Sequence, residues 1–390
     1  MTGNRFRFGA PWRAIAGATV VAITLVGVSA TRGSGEPVHE AQAAVLAPGV
    51  NRIYYIAADT VDWNYAPSGK NLITGEAFGD TENVFVANGP DRIGSTYTKS
   101  LYREYTDGTF TKLKAVPAKW RHLGTLGPLI RAVVGDTIEV HFKNNTPFPA
   151  SVHPHNVLYA KSSEGAPYAD GTSGADKADD AVATGDSVTY NWQVPERAGP
   201  ASGDGSSVMS MYHSHTDEVG DTYAGLVGPM IITRRGMARP DGSPMDVDRE
   251  LVTMFEVSDE NQSPYLDANI AKFATAPETV DPASEAFGES NLMHSINGYV
   301  YGNIPGLDMR KGQKVRWYMI GMGTEVDIHT PHWHGNTLTS MGMRTDMTSL
   351  LPGMMMTADM NPDNAGTWLF HCHVNDHITA GMTATYTVRP

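Results

Sequence analysis

The feature that most constrains this chain of 390 residues is a short C-terminal stretch, His371-Cys372-His373, which contains its only cysteine. His377 follows five positions after the cysteine and Met382 follows ten positions after it. A thiolate, two imidazoles and a weak thioether form the trigonal ligand set of an electron-transfer copper. Cys372, His377 and Met382 would supply all of that set except one histidine, which must come from elsewhere in the chain.

Strand geometry gives the two histidines that flank the cysteine a separate role. Neighbouring side chains of a strand point to opposite faces, so His371 and His373 would face away from the metal that Cys372 holds. They would then be free to bind a second copper site, connected to the first through one residue of backbone on each side. The alternative is a buried cysteine among structural histidines, because a free cysteine packs as a small hydrophobe.

Composition bounds the fold class and the partners. With 40 glycines, 24 prolines and 18% charged residues, the chain favours many strands and turns over long helices, and its length favours two or three domains. The formal net charge of -13 disfavours nucleic acid as a partner. Because a single cysteine cannot form a disulfide within the chain, a metal explains the thiol better.

The N-terminal residues 1–30 predict an export signal. Arg5, Arg7 and Arg13 precede an apolar run that ends in the small residues Val28-Ser29-Ala30, which resemble a cleavage site. An uncleaved membrane anchor is the alternative, because the run is about the shortest that could span a bilayer. Residues 31–50 are small and polar and predict a linker. We therefore expect a secreted, periplasmic or cell-surface protein, with the cleavage site left open.

From position 51 onward, short alternating patterns predict strands. Ile138, Val140 and Phe142 alternate with polar neighbours, and repeated short strands with turn signals favour β-sandwiches or barrels. The charged stretch 234–248 separates a first domain at 51–235 from a second at 249–390. His141 is interpreted as a solvated histidine, and His122 has no partner nearby in the sequence.

Four H-x-H elements, two in each half, form the remaining pattern. They contain His153, His155, His213, His215, His332, His334, His371 and His373. Eight imidazoles are enough for a three-copper cluster, since alternation brings both members of a pair to one face. One further histidine, His329, completes the set of Cys372, His377 and Met382. The sequence therefore predicts four copper ions for each chain.

These residues resemble those of the multicopper oxidases, and the resemblance covers nearly everything from Asn51 onward. It implies an all-β chain of two cupredoxin-like Greek-key β-sandwich domains, with type 1 copper only in the second. It assigns His153 and His332 to type 2 copper, His155, His213, His215, His334, His371 and His373 to the type 3 pair, and His329, Cys372, His377 and Met382 to type 1. It also implies one-electron oxidation of a substrate and four-electron reduction of O2 to water. Copper nitrite reductases differ, because their cysteine lies in the first domain.

The resemblance to two-domain laccases further implies a homotrimer. Two domains close a ring poorly, whereas three chains place six cupredoxin domains in a cycle. Each three-copper cluster would then bridge two subunits.

Two stretches, 289–298 and 323–329, resemble the ceruloplasmin and hephaestin group of ferroxidases. In that group an Fe(II) site beside type 1 copper uses the residues that match Glu289, His294 and Asp376, with a carboxylate matching Glu325 from the next domain of the ring. Oxygen ligands and an imidazole suit iron. The alternatives are that Glu289 and His294 only cap a turn before a strand, and that Asp376 is a solvated carboxylate. Asp376 is also a candidate for proton delivery or for support of His377.

Other electron donors stay open. A methionine-rich segment could bind Cu(I), as in cuprous oxidases, although methionines also fill gaps in cores. Its members are Met341, Met343, Met347, Met354, Met355, Met356 and Met360. A phenol or amine oxidase would need only an exposed edge of His329 or His377. The non-enzymatic alternative is a copper carrier with one copper per chain, which would leave the eight paired histidines unexplained. The physiological donor and the reduction potential cannot be read from the sequence.

Overall fold

The structure is a computed structural model that describes residues 49–390. The predicted export signal and almost all of the predicted linker lie outside the described residues. Within residues 49–390, every helix is too short or too polar to cross a membrane.

Strands dominate the described chain, as the glycine and proline content predicts. The strands are β1 (Asn51–Asn64), β2 (Thr96–Tyr105), β3 (Ile130–Val133), β4 (Thr137–Asn144), β5 (His153–Pro154), β6 (Leu158–Tyr159), β7 (Ser187–Gln193), β8 (Ser207–His213), β9 (Val227–Thr233), β10 (Arg249–Asp259), β11 (Leu292–Ile296), β12 (Asp308–Arg310), β13 (Val315–Gly321), β14 (Pro331–Trp333), β15 (Leu338–Ser340), β16 (Met343–Thr345), β17 (Met355–Met360), β18 (Gly366–Cys372) and β19 (Thr383–Arg389). The predicted all-β class is confirmed.

The helices are short and lie in the connections. The α-helices are α1 (Asn83–Val86), α2 (Glu218–Ala224), α3 (Leu266–Phe273), α4 (Glu285–Ser290) and α5 (Asn375–Thr379). Turns of 3-10 helix occupy Ala118–Leu123, Lys161–Ser163, Gly174–Lys177, Glu196–Ala198, Glu260–Gln262 and Pro277–Thr279.

In the first half, two sheets enclose one hydrophobic core. Their strand orders are β2-β1-β4-β7-β6 and β3-β9-β8-β5. The alternating residues Ile138, Val140 and Phe142 of β4 are fully buried in this core, together with Trp192 of β7 and Ile232 of β9. The period of two in the sequence therefore places the apolar face of β4 where the second sheet can cover it.

The second half repeats the topology of the first, with one additional edge strand, β16. Its sheets run β11-β10-β13-β17-β15-β16 and β12-β19-β18-β14. The strand β10 pairs in parallel with β13 as β1 does with β4, and β14 pairs antiparallel with β18 as β5 does with β8. The core contains Phe255, Trp317, Trp333, Phe370 and Tyr386. This repeat is what a duplicated sequence would fold into, although the exact domain boundaries stay a prediction.

A third apolar cluster joins the two halves. Met209 and Met211 of β8 and Ile231 of β9 pack with Val252 of β10 and Ile320 of β13. Beside this cluster, a buried ion pair crosses the contact, because the Arg131 guanidinium donates to both carboxylate oxygens of Glu250 at 3.0 and 2.7 Å. The hydroxyl of Tyr318 also donates to Glu250, at 3.1 Å. The halves are therefore held by apolar packing and by a few buried polar bonds.

His122 is one of those polar links, and it has the partner that the sequence did not reveal. The side chain is fully buried, and its Nε2 accepts a hydrogen bond from the Val252 amide at 3.1 Å. Burial first, and then the positive charge of Arg249, lower the pKa of His122 to about 3. His141 is also better anchored than a solvated histidine, because it stacks on Tyr55 with ring centroids 4.9 Å apart and lies 2.6 Å from the Glu139 carboxylate.

The burial of neutral His122 predicts a specific loss of stability in acid. The unfolded chain protonates this histidine near its ordinary pKa of 6.5, whereas the folded chain does so only near 3. Its contribution to the free energy of unfolding is therefore complete above about pH 6.5 and falls by about 1.4 kcal/mol per pH unit as the pH drops towards 3. The variant His122→Gln keeps an acceptor oxygen without titrating, so its stability should fall less steeply between about pH 6 and about pH 4. Urea denaturation at several pH values measures the two slopes.

The matched control is His141→Gln, which removes a partly exposed histidine from the same half. The slope of its free energy of unfolding against pH should stay closer to the wild-type slope than that of His122→Gln does. Equal slopes for the wild type and His122→Gln would show that His122 does not stay neutral in the folded chain.

Candidate metal centres

His329, Cys372 and His377 converge on one buried point. The Nδ1 atoms of the two histidines lie 3.2 Å apart, and they lie 3.9 Å (His329) and 3.5 Å (His377) from the Cys372 sulfur. All three side chains are buried, and their ligand atoms lie within 4.8 Å of one another. A thiolate and two imidazole nitrogens at this spacing can bind one metal ion, and this donor set suits copper.

A tight loop positions most of this site. The strand β18 ends at Cys372, the helix α5 carries His377, and β19 begins directly after Met382. The loop is closed by hydrogen bonds from the Cys372 amide to the Met382 carbonyl at 3.1 Å and from the Met382 amide to the His377 carbonyl at 2.8 Å. The Met382 side chain is fully buried in the same core as Cys372. His329 enters from the connection between β13 and β14, where its backbone pairs with Leu350.

The surroundings of Cys372 favour the thiolate. Burial raises the pKa of the thiol, but hydrogen bonds with His329 and His377 and from the Thr330 amide, at 3.4 Å, bring the pKa down to about 6. The thiolate is the form that binds metals.

Asp327 is a supporting residue that the sequence reasoning did not single out. Its carboxylate is fully buried, lies 3.3 Å from His329 Nε2, and accepts hydrogen bonds from the amides of Val257 at 2.6 Å and Thr324 at 2.8 Å. Burial lowers the pKa of His329, but Asp327 and Cys372 together raise it above its ordinary value. Among the described residues His329 Nε2 forms no hydrogen bond, so Asp327 supports this imidazole through its nearby charge. The available signal was its place two residues before His329, inside the stretch 323–329.

The four histidines of the first half form a second group. His153 and His213 are opposite each other in the pairing of β5 with β8, and His155 Nε2 lies 3.0 Å from His213 Nε2. Ring centroids in five pairs among these four histidines are 5.2 to 5.7 Å apart. The Nδ1 atoms of His153 and His213 donate to the carbonyls of Glu164 and Ser214, at 2.6 and 2.9 Å. This leaves their Nε2 atoms available to a metal.

Burial favours the neutral form of His153, His155 and His213 by lowering their pKa values, and the neutral imidazole is the form that binds metals. Burial first, and then the neighbouring histidines, lower the pKa of His155 to about 4. Burial also lowers the pKa of His213 to about 4, although its hydrogen bond to the Ser214 carbonyl opposes the shift.

The four histidines of the second half form a third group. His332 and His371 are opposite each other in the pairing of β14 with β18, with His332 Nδ1 3.2 Å from His371 Nε2. His334 Nε2 lies 3.1 Å from the same atom, and the ring of His373 lies 5.3 Å from that of His332. The His371 Nδ1 donates to the Cys372 carbonyl at 2.7 Å. As strand alternation predicts, these rings lie on the face of β18 opposite the Cys372 side chain.

The chain brings the eight paired histidines together as two groups of four. Among residues 49–390, each ring contact between these histidines joins two members of the same half. In the second half the ligand atoms of His332, His334 and His371 lie within 4.8 Å of one another, and in the first half the Nε2 atoms of His155 and His213 lie 3.0 Å apart.

Of the four predicted iron ligands, His294 lies beside His377, and Asp376 directly precedes His377 in α5. The ring of His294, on β11, lies 5.3 Å from that of His377, and its Nδ1 donates to the Leu292 carbonyl at 2.9 Å. Burial first, and then His377, lower the pKa of His294 to about 4. Partial burial and then the charge of Asp376 raise the pKa of Glu289.

The position of Glu289 does not fit a capping role, because Ser284 is the N-cap of α4 and Glu289 lies in the last turn. Glu325 is exposed on the connection before β14. In the described chain it forms no hydrogen bond or ion pair with Glu289, His294 or Asp376.

The methionine-rich segment divides between surface and core. Met341, Met343 and Met347 are exposed, whereas Met356 and Met360 are buried. Met341, Met354 and Met355 line a cavity of about 440 Å³ together with Met209 of the first half.

Comparisons with known proteins agree with this geometry. Residues 122–236 and 273–390 match two family models, each described as multicopper oxidase. The human protein named Ferroxidase HEPHL1 is 46% identical over 342 residues, which cover 87% of this chain and 29% of that protein. Mouse ceruloplasmin is 45% identical over 340 residues, which cover 86% of this chain and 32% of the relative. The chain therefore spans only about a third of the length of these relatives.

A solved structure shows the shared fold. The blue copper oxidase from Nitrosomonas europaea superposes with a TM-score of 0.52 at 19% identity, over 87% of this chain and 86% of that one. At this identity the likeness concerns the fold alone, and it confirms the predicted cupredoxin-like architecture.

The position of Asp327 leads to a test of metal affinity. The variant Asp327→Asn keeps the shape of the side chain but removes the charge beside His329 Nε2, so the affinity of the site for copper should fall by about 10- to 100-fold. Titration with a competing chelator, followed through the absorption of the copper-thiolate bond, measures the affinity. The control is Glu325→Gln, an exposed acid in the same connection, for which we expect no change in copper affinity. Unchanged affinity in Asp327→Asn would exclude a supporting role.

Proposed function

Because the chain belongs to the multicopper oxidase family, we propose that it oxidises a reducing substrate in one-electron steps and reduces O2 to water with four electrons. The observation that carries the proposal is the direct succession His371-Cys372-His373, which joins the buried thiolate site to a group of imidazoles. Copper, the cofactor that the family implies, supplies the one-electron chemistry when it is bound. The buried thiolate and neutral imidazoles fit that metal.

The chain's own residues provide a fixed connection between the two sites. Cys372 is buried in the core of the second half, and the His371 Nδ1 donates to the Cys372 carbonyl at 2.7 Å. Cys372 and His371 are both held by the pairing of β18 with β14 and β19, so no conformational change is needed to align these two side chains. We propose four copper ions per chain, one held by His329, Cys372, His377 and Met382 and three held by the eight paired histidines.

Fe(II) is the electron donor that the geometry supports best. Glu289 and Asp376 supply oxygen atoms, and the free Nε2 of His294 supplies an imidazole ligand next to His377. This mixture suits Fe(II), and a metal there would be close to the thiolate site. Glu325 would join from a neighbouring domain of the assembly. The relatives named ferroxidase agree with this substrate.

Two other donors follow from specific features. The exposed methionines Met341, Met343 and Met347 could present thioethers to Cu(I). A phenol is the other donor, and its oxidation would need no dedicated binding site. Relative rates with Fe(II), Cu(I) and a phenol, measured on one fully metallated sample, would rank the three.

We also propose that the chain assembles as a homotrimer. The two histidine groups each contain four imidazoles, and the described chain does not bring them together. If the first half of one chain faces the second half of the next, three chains can close a ring with a cluster at each boundary. The N-terminal pattern at 1–30 supports export of the protein before assembly.

The iron site gives a sharp prediction. Glu289→Ala and His294→Gln should each lower kcat/KM for Fe(II) by at least about tenfold, because each removes one ligand from the proposed site. The absorption of the copper-thiolate bond and the oxidation of a phenol should stay close to wild type. Glu278→Ala, an acid outside this group of residues, is the control. Unchanged Fe(II) kinetics in both variants would reject the iron site and leave the oxidase proposal intact.

The assembly gives a second prediction, which uses mixed oligomers. His215→Ala disables the first-half group and His373→Ala disables the second-half group, so each variant alone should not reduce O2. If each cluster bridges two chains, an intact boundary needs the first half of a His373→Ala chain and the second half of a His215→Ala chain. Unfolding and refolding an equal mixture of the two variants should therefore restore about a quarter of the wild-type sites. O2 uptake and copper content measure the restoration. No recovery in a mixture that refolds into mixed oligomers would place each cluster within one chain.

A further inference from the structure

A buried acid at the contact between the halves has no role in the proposed reaction. Glu256, on β10, is 3% exposed, and its Oε2 accepts a hydrogen bond from the Ser258 hydroxyl. Its Oε1 has no partner among the described residues. Ser295, directly opposite Glu256 in the pairing of β10 with β11, also has a buried hydroxyl without a partner there. A buried carboxylate with so few donors is costly unless it binds a proton.

The charged and titratable groups that act on Glu256 lie on several elements of both halves. They are Lys99 of β2, Tyr65 after β1, Tyr223 of α2, Glu260 after β10 and Asp327 before β14. The Lys99 ammonium is bound by the Glu260 carboxylate and by the Tyr223 carbonyl at 2.7 Å. The Tyr65 hydroxyl donates to the same Glu260 oxygen at 2.6 Å. Among these described groups, Lys99 is the cation, and it is already paired with Glu260.

This environment makes Glu256 titrate near neutral pH. Burial first, and then the charges of Asp327 and Glu260, raise the pKa of Glu256 to about 7, although the Ser258 hydroxyl and Lys99 oppose the shift. Small changes in the local field then decide whether the carboxyl holds a proton.

The field at Glu256 is linked to the thiolate metal site through Asp327. The Asp327 carboxylate lies 3.3 Å from His329 Nε2 and accepts from the Val257 amide, the residue next to Glu256. A change of one charge at the metal site therefore acts on Glu256 across a buried, weakly screened region.

We propose that Glu256 binds a proton when the site of His329, Cys372 and His377 gains an electron, and releases it when the site loses that electron. This inference rests on the proposed function. The electron comes from the reducing substrate and the proton from solvent. The bond that forms and breaks is the O–H bond of the Glu256 carboxyl group, so the added negative charge is offset within the same buried region.

The reduction potential of the copper-thiolate site tests the inference. In the wild type the potential should fall as the pH rises between about 6 and 8, because ionised Glu256 stabilises the oxidised site. The slope should be a measurable part of the limit of about 59 mV per pH unit for one proton per electron. Glu256→Gln should flatten the slope, since the amide keeps the shape but cannot titrate. Ser295→Ala removes the facing hydroxyl without changing charge and should keep the wild-type slope.

Other groups near the metal also titrate, so the difference between wild type and Glu256→Gln decides the test. Equal slopes in the two proteins would overturn the inference, and so would a wild-type potential that does not vary with pH. If the variant does not fold, a wild-type potential that does not vary with pH still overturns the inference.

A second measurement does not depend on metal or on activity. In the copper-free protein, carbon NMR of labelled glutamate should show one buried carboxyl that titrates near neutral pH and is missing in Glu256→Gln. A carboxyl that stays ionised throughout this range would overturn the inference. Absence of O2 uptake would instead count against the proposed function, whatever the potential of the thiolate site shows.

Discussion

The alternation of side chains along β18 is the constraint on which the rest of the structure depends, because it commits one strand to two candidate metal sites. Phe370 and Cys372 point into the core of the second half, whereas the His371 side chain lies on the opposite face with His332 and His334. One face of β18 must therefore be covered by the core, which buries the thiolate, while its other face must stay uncovered so that the imidazoles can reach a metal. Pairing with β14 on one side and β19 on the other satisfies both requirements.

The second strand with two roles is β10, where the halves meet. One face carries Phe255 and Val257 into the core beside His329, and the other carries Met254 and Glu256 towards the first half. A change at the metal site can therefore reach the contact between the halves through a single strand. The polar groups at this contact are buried, so their charges are screened less than those on the surface.

The sequence predicts features that depend on neighbouring residues, but it does not predict contacts between residues that are distant in the chain. The spacing of Cys372, His377 and Met382 places three candidate ligands on one loop, and the period of two in β4 gives its buried face correctly. His122 and Asp327 were missed because each binds an amide that is distant in the chain, that of Val252 for His122 and that of Val257 for Asp327. Glu256 was missed because the charges of Lys99 and Asp327, which act on it, are also distant in the chain. The sequence also did not show that the histidines group by halves, because the spacing within an H-x-H pair does not reveal which pairs lie together in space.

Under the proposed assembly, the repeated topology accounts for a single chain bringing together only half of each cluster. Duplicated halves present equivalent surfaces, and β8 carries His213 just as β18 carries His371. One contact between the halves, through β8, β9, β10 and β13, is already used within the chain. Under the proposed assembly, the histidine faces remain for contacts between chains. The thiolate site lies wholly within the second half, so it could form in a single chain, whereas O2 reduction would require the closed ring. Substrate oxidation without an assembled cluster would then stop after one electron per chain.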